Sequence, residues 1–136
     1  MRGLVLDYAG VLDGAEDEQR RWRELIAAVR DNGVATAIYS NDPGGPKAQP
    51  IKRWADNGWV DKVLLSGETG IDKPEPEAFS LAAETLDLRP EDCVLVDDSI
   101  VNVRAAVEHG LIGVMYQTFD RTSVEITSLF DIEGEF

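Results

Sequence analysis

Short apolar runs alternate along the chain with longer stretches whose apolar residues recur every three or four positions. Gly3-Leu4-Val5-Leu6 is uninterrupted and predicts a buried strand. Residues Glu16 to Asn32 place Trp22, Leu25, Ile26 and Val29 on one face, which predicts a helix closed by Gly33. Val34 to Tyr39 predicts a second strand. Pro43-Gly44-Gly45-Pro46 then breaks the chain before a short helix carrying Ile51, Trp54 and Ala55. Lys62 to Leu65 predicts a third strand. A helix follows from Pro76, where proline suits the first turn, with Phe79, Ala82 and Leu86 facing inward. Val94 to Val96 predicts a fourth strand, and Ser99 to His109 a helix with Ile100, Val103 and Val107 inward. Ile112 to Tyr116 predicts a fifth strand, and Ser123 to Phe130 a last helix.

Strands that alternate with helices imply a parallel sheet covered on both faces by right-handed crossovers. The expected fold is therefore α/β, three-layered and Rossmann-like, with about five parallel strands. The 136 residues suffice for one domain, residues 1–136, with no repeat or linker.

Composition narrows the function classes. Hydrophobic residues make up 43% and charged residues 29%, as in ordinary globular proteins. No apolar run reaches the roughly 20 residues of a membrane span, so no membrane partner is expected. The single cysteine, Cys93, lies in a predicted strand and reads as a core thiol; with no internal disulfide possible, a cytoplasmic location is expected. The net charge of −13 is concentrated in the second half, where 17 acidic residues face 5 basic ones. Such a surface repels nucleic acid. An anionic substrate would be drawn in by a local cation and not by the global field.

Four polar motifs stand where predicted strands run out or shortly after: Asp7-Tyr8-Ala9-Gly10-Val11-Leu12, Ser40-Asn41, Lys73-Pro74, and Asp97-Asp98-Ser99 with Asn102. Each has an ordinary explanation when taken singly. Asp7 can cap a turn, Ser40 and Asn41 are turn formers, and Lys73 can be a surface lysine. Adjacent carboxylates at Asp97 and Asp98 repel each other and are usually compensated by a cation. In a parallel α/β sheet, ligands bind beyond the strand ends. Carboxylates, a hydroxyl, an amide and a lysine gathered there suit a Mg²⁺ and phosphoryl pocket. His109 reads as a helix C-terminal residue without a catalytic part.

The order and spacing of these segments resemble the haloacid dehalogenase-like superfamily, over nearly the whole chain from Leu4 to about Phe130. The resemblance implies a phosphohydrolase dependent on Mg²⁺. Asp7 would be the nucleophile that becomes an aspartyl phosphate, and Lys73 its partner and a phosphoryl ligand. Ser40, with Asn41, would bind the phosphoryl oxygens. Asp7, the carbonyl of Ala9 and Asp98 would hold the metal, with Asp97 and Asn102 accessory.

One position departs from the pattern. Family phosphatases usually carry, two residues after the nucleophile, a second aspartate that protonates the leaving oxygen and later activates water. Ala9 can do neither, so metal and phosphate binding should outlast a turnover that is slow. The alternative is a module that binds phosphate and metal for regulation or interaction without catalysis. Asp13 is the nearest other carboxylate in sequence and would have to fold back to substitute. No cap domain is expected, since the segments after Asp7 and Ser40 are short. That disfavours the cap-dependent phosphonoacetaldehyde hydrolase and dehalogenase chemistries. An open site suits a phosphorylated small molecule or macromolecule, or cover by a second copy in a homo-oligomer. Trp54 and Trp59 near that edge read as core residues, with an interface role as the alternative.

Overall fold

The computed structural model describes residues 2–136. Five strands, β1 (Gly3–Leu6), β2 (Ala35–Ser40), β3 (Lys62–Leu65), β4 (Cys93–Asp97) and β5 (Ile112–Met115), form one parallel sheet in the order β3-β2-β1-β4-β5. The helices between and after them are α1 (Glu16–Asp31), α2 (Gln49–Asp56), α3 (Ser66–Thr69), α4 (Pro76–Thr85), α5 (Ile100–Glu108) and α6 (Phe119–Leu129). Every strand-to-strand link crosses over through helix, which is how parallel neighbours must be joined.

The strand period of two sorts the core into two layers. Leu4, Leu6, Ile38, Val94 and Val96 face Trp22, Leu25, Ile26, Trp54 and Ile126 on one side. Val5, Ala37, Tyr39 and Leu95 face Phe79, Ala82, Ala83 and Ala106 on the other. Because β1 is central and covered on both faces, its four residues are all buried. Trp54 is fully buried and meets the half-buried Trp59 edge-on at 5.2 Å between ring centroids, so the pair belongs to the core.

The elements follow the sequence pattern with two corrections and one addition, the single helical turn α3 (Ser66–Thr69), which no apolar spacing announced. In α5 the inward residues are Val103 and Ala106, whereas Ile100 and Val107 are 54% and 53% exposed. Strand β5 is the sheet edge, so α5 overhangs it, and Gly113 leaves the hollow that receives Val103. The last helix begins four residues before its predicted start, because Thr118 caps it by accepting a hydrogen bond from the Arg121 N–H at 3.3 Å. His109 ends α5 with its Nε2 2.7 Å from Ser80 Oγ, consistent with a packing role. No helix among the described residues is long and apolar enough to cross a membrane.

Candidate active site

Register places the first two carboxylates side by side. Leu6 pairs with Val96, and the Asp7 N–H continues the ladder by donating to the Val96 carbonyl at 2.9 Å. Asp7 and Asp97 therefore leave adjacent central strands at the same level. Lys73 arrives from the loop before α4 and lies between them, with Nζ 3.0 Å from Asp7 Oδ1 and 2.8 Å from Asp97 Oδ2. The side chains of Lys73 and Asp97 are 1% and 0% exposed, so this is a buried ion triad.

Such a triad is stable only when its remaining valences are met. Asp97 Oδ1 accepts the Ser99 N–H at 2.9 Å, and Oδ2 accepts Asn102 Nδ2 at 3.1 Å. Ser99 also caps α5 through its hydroxyl. The Asp-Asp-Ser-x-x-Asn spacing thus serves one end: a strand terminus, a helix cap and a donor one turn into the helix all converge on Asp97. On the opposite side, Asn41 Nδ2 donates to the Lys73 carbonyl and Asn41 Oδ1 accepts the Lys73 N–H, both at 2.9 Å.

Asp7 pays in protonation for its surroundings. Burial pushes its carboxyl up to about 7; the neighbouring Asp97 pushes the same way, and the Lys73 ammonium opposes both. Two carboxylates against one ammonium leave the buried triad short of positive charge. The exposed Asp98 adds a third carboxylate, and oxygen atoms of Asp7, Asp97 and Asp98 lie within 4.8 Å of one another. Hard oxygen donors with unbalanced negative charge are what a divalent cation such as Mg²⁺ requires, so the residues present fit that ion. Gly10 is part of the same arrangement. Its φ is +80°, and a Cβ there would sit 2.0 Å from Asp98 Oδ2, so only glycine lets the loop after β1 pass this close to that carboxylate.

These groups surround a cleft of about 330 Å³ lined by Asp7, Ala9, Ser40, Lys73, Asp98 and Asn102 among others. All the site residues expected from sequence border it, Asn41 and Asp97 included. Ser40, at the end of β2, is buried. Asp97, expected in an accessory role, anchors Lys73 from its place as the last residue of a wholly buried strand. The sequence did not single out Ser99 for Asp97. Asp13 does fold back, but its Oδ1 accepts the Gly10 N–H at 2.9 Å and it borders the adjoining cleft. Cys93 is buried, which pushes its thiol up to about 11 and leaves it inert at neutral pH.

Among proteins of known structure, an uncharacterized protein from Corynebacterium glutamicum is 65% identical and superposes with a TM-score of 0.98, covering 100% of this chain and 99% of that one. A HAD family enzyme from Bacteroides thetaiotaomicron shares the fold at 17% identity, with a TM-score of 0.61 over 88% of this chain and 96% of its own. That enzyme was crystallised with magnesium and inorganic phosphate, as was an aspartate-to-alanine variant of it. Ribulose-1,5-bisphosphate 5-phosphatase of Halopiger xanaduensis is 30% identical over 95 residues, which are 69% of this chain and 40% of that enzyme. The chain thus spans less than half the length of this curated relative. The haloacid dehalogenase-like hydrolase family itself matches across residues 5–110, from within β1 through the end of α5 and so across every motif of the cleft. With that span and this fold, the chain belongs to the haloacid dehalogenase-like hydrolases.

Proposed function

We propose that the cleft hydrolyses phosphomonoesters slowly, with Asp7 as nucleophile. The observation that carries this is the buried Lys73 held between Asp7 and Asp97 in the lining of an oxygen-rich cleft. Phosphoryl transfer asks little covalent chemistry of a protein and much positive charge around the transferred oxygens. Lys73 would supply part of it and keep Asp7 ionised when the cleft is filled. Ser40 would donate its hydroxyl to a phosphoryl oxygen. Asp7, Asp98 and the Ala9 carbonyl would hold Mg²⁺, with Asp97 close enough to share the ion's field. The bound ion would neutralise charge developing on the phosphoryl group and lower the proton affinity of Asp7.

Asp7 Oδ would then attack phosphorus as the ester P–O bond breaks, giving an aspartyl phosphate and an alkoxide that takes its proton from solvent water to become the alcohol. Water would release orthophosphate and regenerate Asp7. Both steps need a proton moved, and Ala9 has none to give or take, which is why the rate is low. The alcohol part of the ester would extend into an adjoining cleft of about 480 Å³ that shares Gly10 and is bordered by Asp17, Glu18 and Gln117. No cap domain covers either cleft among the described residues, so an extended phosphorylated ligand, small or macromolecular, has access. A second copy covering the opening is compatible with the same geometry.

Hydrolysis of an aryl phosphate with Mg²⁺ tests the proposal. Turnover by the wild type and none by Asp7→Asn is the expected result. Equal, negligible rates in both would instead favour the second reading, which Ala9 supports: a phosphate- and metal-binding module without turnover.

Metal binding has its own signature. The raised Asp7 carboxyl keeps its proton in the folded, metal-free protein up to about pH 7, whereas the unfolded chain loses it in the ordinary carboxylate range. Its contribution to metal-free stability is therefore full at low pH and lost as pH rises through about 7. A cation must displace that proton, so Mg²⁺ should bind less well as pH falls below 7. The expected result is a Mg²⁺-induced rise in Tm that is larger at pH 8 than at pH 6 and abolished by Asp98→Asn. An increment independent of pH, or one that persists in Asp98→Asn, would remove the metal from this site.

A further inference from the structure

The phosphoryl cleft depends on a lysine that hangs from a loop, and a lysine ammonium on its flexible four-carbon stem goes where its backbone directs it. The residues between α3 and α4, which include Lys73, belong to no helix or strand. We infer that Asn41 is a positioning residue for Lys73; the assignment rests on the cleft being a phosphate site.

Three observations support it. First, the Asn41 side chain spends its oxygen and one N–H on a single residue: it accepts the Lys73 N–H and donates to the Lys73 carbonyl, both at 2.9 Å. This closes a ring like one rung of a β-ladder, formed by a side chain where β2 has already ended. Second, Tyr39 holds the same loop two residues earlier. Its hydroxyl donates to the Ile71 carbonyl at 2.6 Å and lies 3.2 Å from Thr69 Oγ1. Third, Lys73 Nζ lies 6.0 Å from the centre of the Tyr39 ring, so the anchors and the delivered ammonium are neighbours.

β2 thus works as a jig. Tyr39 and Asn41 fix the Thr69–Lys73 segment at two levels, and the ammonium is left where it reaches both Asp7 and Asp97. An asparagine whose role was confined to the loop's own stability would leave that ammonium undisturbed when removed from a chain that still folds. Position is where the two roles differ, because misplacing a charged group by about 1 Å can cost on the order of 100-fold in function.

The test uses the whole chain with Lys ¹⁵N labelling. In the wild type, the buried ammonium between two carboxylates should give a resolved, slowly exchanging Nζ signal. Lys73→Met, which deletes it, assigns that signal. In Asn41→Ala, with the fold verified by circular dichroism, the signal should broaden or shift. Binding of inorganic phosphate with Mg²⁺, followed by calorimetry, should weaken about 10-fold or more. Should Asn41→Ala fail to fold, Asn41→Ser, which is too short to bridge both backbone groups of Lys73, replaces it, and its ammonium signal decides in the same way. Either an unmoved ammonium signal or an unchanged phosphate affinity in a folded Asn41→Ala overturns the assignment. Should the wild type bind no phosphate, the reading of the cleft fails, and the ammonium signal alone decides whether Asn41 positions Lys73.

Discussion

Replacing Ala9 with aspartate is expected to raise aryl phosphate hydrolysis by about 10²–10⁴-fold, the usual contribution of a positioned acid–base group. Ala9 is exposed and lines the same cleft as Asp7, so a carboxyl built there meets solvent and ligand without displacing core residues. The other groups the proposal calls for are present: Asp7 with Lys73 held against it, the buried Ser40, and the carboxylates of Asp97 and Asp98 converging with that of Asp7. Only the proton carrier is lacking. Steady-state kinetics of the two proteins with Mg²⁺ give the comparison. A rate unchanged by Ala9→Asp, in a variant that still binds Mg²⁺, would mean that the assembled cleft is not a phosphoryl-transfer site.

The second large effect is on folding. Lys73→Met should destabilise the metal-free protein by about 3–5 kcal/mol, because it leaves Asp7 and Asp97 buried with no cation between them. The pair of carboxylates would then answer by holding a proton or by recruiting a metal. Mg²⁺ should accordingly restore a larger share of stability in Lys73→Met than it adds to the wild type. Removing a second charge as well, in Lys73→Met/Asp97→Asn, should recover part of the loss even without metal, since the uncompensated buried charge is what costs most. Urea unfolding of the three proteins, with and without Mg²⁺, reads each term. A loss below about 1 kcal/mol for Lys73→Met would show that water reaches the triad and screens it.

How much of this was legible before the coordinates depends on the kind of signal. Apolar runs and three-to-four spacing report burial directly, so β1, α1, β3 and the start of α4 stand where the pattern puts them. The inward face of α5 differs from the expected one, since the three-to-four spacing of Ile100, Val103 and Val107 cannot tell that the helix lies over an edge strand, where Ile100, Val101 and Val107 stay exposed. The start of α6 was missed because Thr118 acts as a cap only if the chain has already turned there.

The site divides in the same way. Asp7, Ser40 and the Asp97-Asp98 pair could be found from strand ends, because a parallel sheet sends all its C-terminal ends to one edge. That Lys73, expected beside Asp7, also reaches Asp97, that Asn102 and Ser99 donate to Asp97, and that Asn41 holds the Lys73 backbone were not legible. The Asn41–Lys73 and Lys73–Asp97 contacts join residues far apart in sequence, and those of Ser99 and Asn102 with Asp97 depend on how the chain turns from β4 into α5.

The sequence by itself determined the order of strands and helices, the residue types at the strand ends and the absence of a carboxyl at position 9, because these rest on local spacing and side-chain chemistry. The tertiary structure alone decided which carboxylate shares the buried lysine, which amide is occupied and which face of each helix meets solvent. Those outcomes follow from register and packing, where a displacement of one residue changes a side chain's neighbours and its electrostatic surroundings altogether.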